Sequence, residues 1–89
     1  MIEQEAEIVN RLGLHARAAA KLVNTAARFQ SRVSMTKDGE EVDAKSILGV
    51  LLLAAAQGTQ LTIRCEGADE AECMGALVAL IAGRFDEES

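Results

Sequence analysis

Residues 2–26 read IEQEAEIVNRLGLHARAAAKLVNTA, and the hydrophobic period changes inside them. From Ile2 to Ile8 the chain alternates, with Ile2, Ala6 and Ile8 on one side and Glu3, Glu5 and Glu7 on the other. That is the pattern of a strand with one wet face. Asn10 to Leu14 contain Gly13, a loop signal. From Ala16 the spacing turns helical, with Ala19, Leu22, Val23 and Ala26 at i, i+3, i+4 and i+7. The segment is rich in alanine, a strong helix former, and is expected to end near Arg28 or Phe29.

Working outward, Val33 and Met35 alternate with Arg32, Ser34 and Thr36 as a second strand. Asp38-Gly39 is a tight hairpin signal, after which Glu41 to Asp43 return as a short third strand. Ser46 is a good N-cap for a helix from Ile47 to about Gln57, with Gly58 as its stop. Leu61, Ile63 and Cys65 alternate with Thr62, Arg64 and Glu66 as a fourth strand. Asp69, with Glu72 three residues on, matches a capping box opening a last helix with the stripe Met74, Leu77, Val78, Ile81 and Phe85. The order βαββαβα predicts an α+β fold of two layers, with helices covering one side of a sheet. Residues 1–89 are expected to form one domain, without repeats or linkers.

Composition narrows the function. A chain of 89 residues builds one thin core, and 49% hydrophobic with 26% charged residues is a globular balance. With no Trp, no Tyr and two Phe, the core must be aliphatic, and no aromatic platform exists for stacking bases. A net charge of −5 argues further against a nucleic-acid partner, single-stranded RNA included. The apolar run Ile47 to Ala56 is interrupted by Gly49 and falls short of the ~20 residues that span a bilayer. The amino terminus is acidic where a signal peptide is basic, so neither membrane nor export is expected. Cys65 and Cys73, with one histidine, make neither a disulfide framework nor a structural zinc site. They read as packed thiols of a cytoplasmic protein.

Charge is unevenly spread. Between Ile8 and Lys37 stand Arg11, Arg17, Lys21, Arg28, Arg32 and Lys37 without a single acid, and the only histidine, His15, lies among them. Such a block is either a solvated basic face or a local field that draws an anion or an acidic partner. Arg17 falls in the first turn of the first helix, where the dipole disfavours a cation and favours an anion. His15 then stands at a helix end whose backbone N–H groups have no intrahelical partner. An imidazole, a guanidinium and free amides suit a phosphoryl group: the neutral ring nitrogen attacks, and the cation and amides offset the phosphate charge. From these residues alone, a capping or surface histidine beside a solvated arginine stands as well.

The stretch Asn10-Arg11-Leu12-Gly13-Leu14-His15-Ala16-Arg17, continuing Ala18-Ala19-Ala20-Lys21, closely resembles the active-site segment of the HPr family, the histidine phosphocarriers of the phosphoenolpyruvate-dependent phosphotransferase system. A second block, Lys45-Ser46-Ile47-Leu48-Gly49-Val50-Leu51, resembles that family's regulatory serine and the helix after it. The likeness runs over nearly the whole chain. It implies an open-faced sandwich of three helices on a four-stranded antiparallel sheet. It implies that His15 takes a phosphoryl group on Nδ1 from phosphorylated enzyme I and passes it to an enzyme II component, such as an A-type domain. This would be a stoichiometric transfer without cofactor or metal, by a monomer. Ala16 and Arg17 would hold the phosphate. Ala20, Ile47, Leu48 and Leu51 would form the docking patch, and Ser46 would be the site of a dedicated HPr kinase/phosphorylase found in some bacteria. The family often has Pro where Ala18 stands, which puts the subgroup in question more than the activity. Two alternatives share parts of this pattern: a carrier of the same family serving nitrogen regulation, and a ferredoxin-like module that binds a small ligand without covalent phosphate.

Overall fold

The computed structural model describes residues 1–89. The elements are β1 (Ile2–Glu7), α1 (Ala16–Ala27), β2 (Arg32–Lys37), β3 (Glu40–Asp43), α2 (Ile47–Leu52), β4 (Gln60–Glu66) and α3 (Glu70–Ala82), followed by a short turn, Arg84–Asp86. This is the predicted βαββαβα order. The strands form one sheet in the order β1-β4-β2-β3, antiparallel throughout.

The last strand to be made lies inside the sheet. Ile63 of β4 stands opposite Gln4 of β1 on one side and Met35 of β2 on the other, and Cys65 stands between Ile2 and Val33. Leu61, Ile63, Cys65, Val33 and Met35 are buried beneath the helices. The alternate row, Glu3, Arg64, Ser34 and Asp43 in register, faces away from them. There Arg64 Nε donates to Glu3 Oε1 at 2.8 Å, an exposed pair of small energetic weight.

Twenty buried residues form a single core cluster, with Phe85, Ile8, Leu22, Met35, Leu61, Ile63, Leu77 and Ile81 among its largest members. Each large apolar side chain so buried contributes about 1.5–3 kcal/mol. Cys65 and Cys73 are free thiols inside this core, packed as expected. Burial, with Cys73 beside it, pushes the Cys65 thiol up to about 12, so it is no nucleophile.

Three expectations change. The second helix ends at Leu52 rather than Gln57. Leu53 caps it and Ala54 takes φ +50°, which turns the chain so that Leu53 and Ala55 are buried and the Ala55 carbonyl accepts from Leu14 N at 2.9 Å. Lys37 Nζ donates to Leu53 O at 2.9 Å, satisfying a carbonyl freed at that end. A longer helix would give up these contacts.

Asp69 is the second change. It lies before α3 but makes no capping bond. Its carboxylate instead accepts from Gln30 N at 2.8 Å, Ser31 N at 2.9 Å and the Ser31 hydroxyl. The Ser31 hydroxyl first, then the Gln30 amide, hold its pKa below the ordinary value. Glu70, not Glu72, reaches back to the Gly67 amide at 3.1 Å. The third change is Phe85, which is fully buried but not on the helical stripe. α3 stops at Ala82, and Arg84, Phe85 and Asp86 take φ of +60°, +53° and +65°. Three successive L residues in this region cost about 1–2 kcal/mol each, which burial of the Phe85 ring offsets in part.

Candidate phosphoryl site at the start of the first helix

Gly13 sets the loop ahead of α1. It has φ +68°, and a Cβ there would lie 2.6 Å from the Ala55 carbonyl oxygen. Asn10 Nδ2 donates to Gly13 O at 2.9 Å, and the Leu14 amide is tied to Ala55. The loop therefore delivers His15 to the N-cap of α1, extended at φ −73° and ψ 178°, with its carbonyl accepting from Ala19 N at 2.8 Å.

The His15 side chain makes no capping bond, so the capping alternative fails. Its Nε2 is bound to Glu87 Oε2 instead. A carboxylate only accepts, so Nε2 carries the hydrogen, and in the neutral ring Nδ1 holds the free lone pair. The amides of Ala16, Arg17 and Ala18 have no backbone acceptor, and no acid occupies the first turn. The positive end of the helix is thus left open.

Glu87 is held on both oxygens. Oε1 accepts from Asn10 Nδ2 at 3.0 Å. The hydrogen bonds from His15 and then Asn10 lower its pKa. Asn10 is fully buried, and its Oδ1 has no partner. The His15 side chain remains 29% exposed, enough for a second protein to reach. Arg17 is exposed, forms no ion pair, and with Arg11, Leu12, His15 and Glu87 borders a shallow cleft of about 390 Å³. A larger cleft of about 550 Å³ lies against β2 and β3, away from His15, among Arg32, Ser34, Glu41, Asp43 and Arg64. There Arg64 is already engaged by Glu3 and Glu41.

The other predicted residues fall near one another on the helical side. Ala20 is exposed on α1, which packs against α2. On α2, Ile47, Leu48 and Leu51 are exposed, Leu48 to 71%. Ser46 caps α2, its Oγ accepting from Gly49 N at 3.2 Å. Gly49 lies close to β3, where a Cβ would stand 3.3 Å from that of Val42. Leu12 and Leu52, exposed to 62% and 73%, add to the exposed apolar surface. Sequence reasoning missed both, because an apolar run does not say which side faces water. It also missed Glu87 as the partner of His15, and Asn10 as the residue that holds Glu87. Asn10 stood in the motif itself, three residues before Gly13, but Glu87 lies 72 residues from His15 and only the fold joins them.

Fold and site together define a class: a small open-faced sandwich with a single imidazole at a helix N-terminus and at the surface. The family model of the PTS HPr component phosphorylation site matches residues 2–83. The chain is 53% identical over 87 residues to phosphocarrier protein HPr of Cupriavidus necator, with 98% of each covered. It is 51% identical over 84 residues to that of Pseudomonas aeruginosa, with 93% of each covered. The crystal structure of HPr-C-His from Thermoanaerobacter tengcongensis matches at a TM-score of 0.97 and 46% identity, over the whole of both chains. The chain belongs to the HPr family and is a phosphocarrier of the phosphotransferase system, phosphorylated on histidine. No helix is long and apolar enough to cross a membrane.

Proposed function

We propose that His15 carries the phosphoryl group on Nδ1, with the amides of Ala16 and Arg17 and the Arg17 guanidinium receiving its oxygens. The observation that supports this most is the Nε2–Glu87 bond, which leaves Nδ1 as the free nitrogen beside amides that lack acceptors. The Nδ1 lone pair attacks phosphorus, and a preorganised cation and N–H groups stabilise the transferring charge. The donor is enzyme I, phosphorylated from phosphoenolpyruvate, and the acceptor is a histidine or cysteine of an enzyme II component of A type. The exposed Ala20, Ile47, Leu48 and Leu51 form the docking surface, apolar at its centre, with the exposed Arg17 on the same helix as Ala20. This suits a transient partner of acidic surface. Where the host makes an HPr kinase/phosphorylase, Ser46 is its target, and the exchange takes place in the cytoplasm without cofactor.

Incubation with enzyme I and phosphoenolpyruvate, followed by mass spectrometry, tests the central point. One acid-labile, alkali-stable phosphate on His15 is expected, and none on the His15→Ala variant. Phosphate accepted by His15→Ala from enzyme I sinks the assignment.

A further inference from the structure

The chain has three lysines, and each ammonium donates to a carbonyl where the chain leaves a helix. Lys45 reaches Phe29 O after α1, Lys37 reaches Leu53 O after α2, and Lys21 reaches Phe85 O after α3, at 2.8, 2.9 and 2.8 Å. Backbone carbonyls at such ends lack helical partners. Lys37 stands apart in what its carbonyls adjoin. It is the last residue of β2 and follows the buried Val33 and Met35 in the alternation, so its ammonium reaches the helical layer. Its Nζ also lies 3.4 Å from Ala54 O, and neither Leu53 O nor Ala54 O has a backbone donor. The turn held in this way carries the loop of His15. Ala54 has φ +50°, a conformation L residues rarely adopt. The next carbonyl, Ala55 O, accepts from Leu14 N at 2.9 Å, and His15 follows. Residues 8–14 lean on the same segment further along: Gly58 N donates to Ile8 O at 2.7 Å, Ile8 N to Thr59 O at 2.9 Å, and Gln57 Nε2 to Val9 O at 3.1 Å. The loop is thus seated on residues 55–59, and one ammonium fixes the entry to them.

We propose that Lys37 is a positioning residue for phosphoryl transfer, acting through the Leu53–Ala55 turn to hold the loop that presents His15. The inference rests on the reading of His15 as acceptor. Lys37 bonds to neither the ring nor the amides at the start of α1. Without its ammonium, the two carbonyls turn to water and the left-handed Ala54 loses its tie. Ala55 O then no longer stands fixed for Leu14 N. Attack on phosphorus needs a near-linear approach at contact distance, so a small displacement caused far from the chemistry is costly in rate.

Phosphoramidate, a small donor that needs no docking surface, tests this without a partner protein. A lone pair of the His15 ring forms the new bond to phosphorus, the donor's P–N bond breaks, and its nitrogen leaves with the electron pair as ammonia. Lys37→Met keeps the apolar stem and removes the ammonium. It is expected to take phosphate on His15 about tenfold more slowly than the native protein. Its Leu14 amide is expected to exchange hydrogen faster relative to the amides of β4, which report global opening. Lys37→Gln, shorter by one atom and uncharged, is expected to behave in the same way, so the comparison does not hang on one variant. Lys45→Met removes the corresponding bond at the end of α1 far from His15, and is expected to take phosphate at the native rate. A native rate in the Lys37 variants, a Leu14 amide that exchanges no faster relative to β4, or an equal slowing in Lys45→Met overturns the role of Lys37. Native protein that takes no phosphate on His15 overturns the reading beneath it, a separate outcome.

Discussion

Gly13 decides where His15 stands. Its φ of +68°, and the 2.6 Å that would separate an added Cβ from the Ala55 carbonyl oxygen, leave no room for a side chain. Gly13→Ala is expected to cost about 2 kcal/mol or more in urea unfolding, and to slow phosphorylation because the loop carries His15. Arg17 has the opposite profile. It is exposed, at the positive end of α1, and has no ion pair, so the fold gains nothing visible from it. Arg17→Ala is expected to slow transfer by about 10²-fold while stability holds or rises by about 0.5 kcal/mol. Unchanged kinetics with a lower melting temperature would make Arg17 structural. His15 and Arg17 were legible because imidazole, cation and helix start lie within three residues. Asp69 misled for the converse reason: the local capping rule fitted it, but the amides of Gln30 and Ser31 and the Ser31 hydroxyl claimed the same oxygens.

At the scale of elements, α2 shows how far periodicity reaches. Its start was readable because Ser46 is a cap by chemistry, and its Oγ does accept from the Gly49 amide. Its end was not, because an unbroken apolar run carries no period, and what stops the helix is the demand of Leu14 N for the Ala55 carbonyl. Ser46→Ala should cost about 1 kcal/mol in thermal unfolding. Ser46→Asp still caps and adds a charge that the helix dipole favours, so its melting temperature should stay or rise. The same charge lies next to Ile47 and Leu48, on the surface proposed to meet enzyme I. Its repulsion and desolvation should raise the KM for transfer from enzyme I. A variant that melts lower yet takes phosphate at the normal rate would confine Ser46 to the fold.

Across the whole molecule, three carboxylates join segments far apart in the chain: Asp69 to Ser31, Glu70 to the amino terminus at 3.0 Å, and Glu87 to His15. All three have lowered pKa values, from the Ser31 hydroxyl, the Gly67 amide and the His15 ring respectively. A lowered folded pKa means that the unfolded chain takes up protons first. Their contribution is therefore complete above the ordinary carboxylate range of about pH 4, and is lost as pH falls through the lower folded values. Calorimetry should find the melting temperature falling steeply only below about pH 4. Asp69→Asn keeps an oxygen for only one of the two amides, which bind different carboxylate oxygens, and removes the charge. It should melt lower at neutral pH and show a shallower acid decline; an unchanged decline would remove Asp69 from this account. None of these links was legible in the sequence, whereas the layers were, because alternation and helical stripes are local and such links are not.

The inner position of β4 bears on how the chain is born. β1 and β2 are not neighbours, since each pairs with β4 from opposite sides. Through most of translation, then, the nascent chain holds β1 without its native partner, and the sheet closes only after Glu66 has been made. Glu3, Glu5 and Glu7 alternate along that waiting strand. Negative charge at every second position discourages it from pairing with another copy on a neighbouring ribosome.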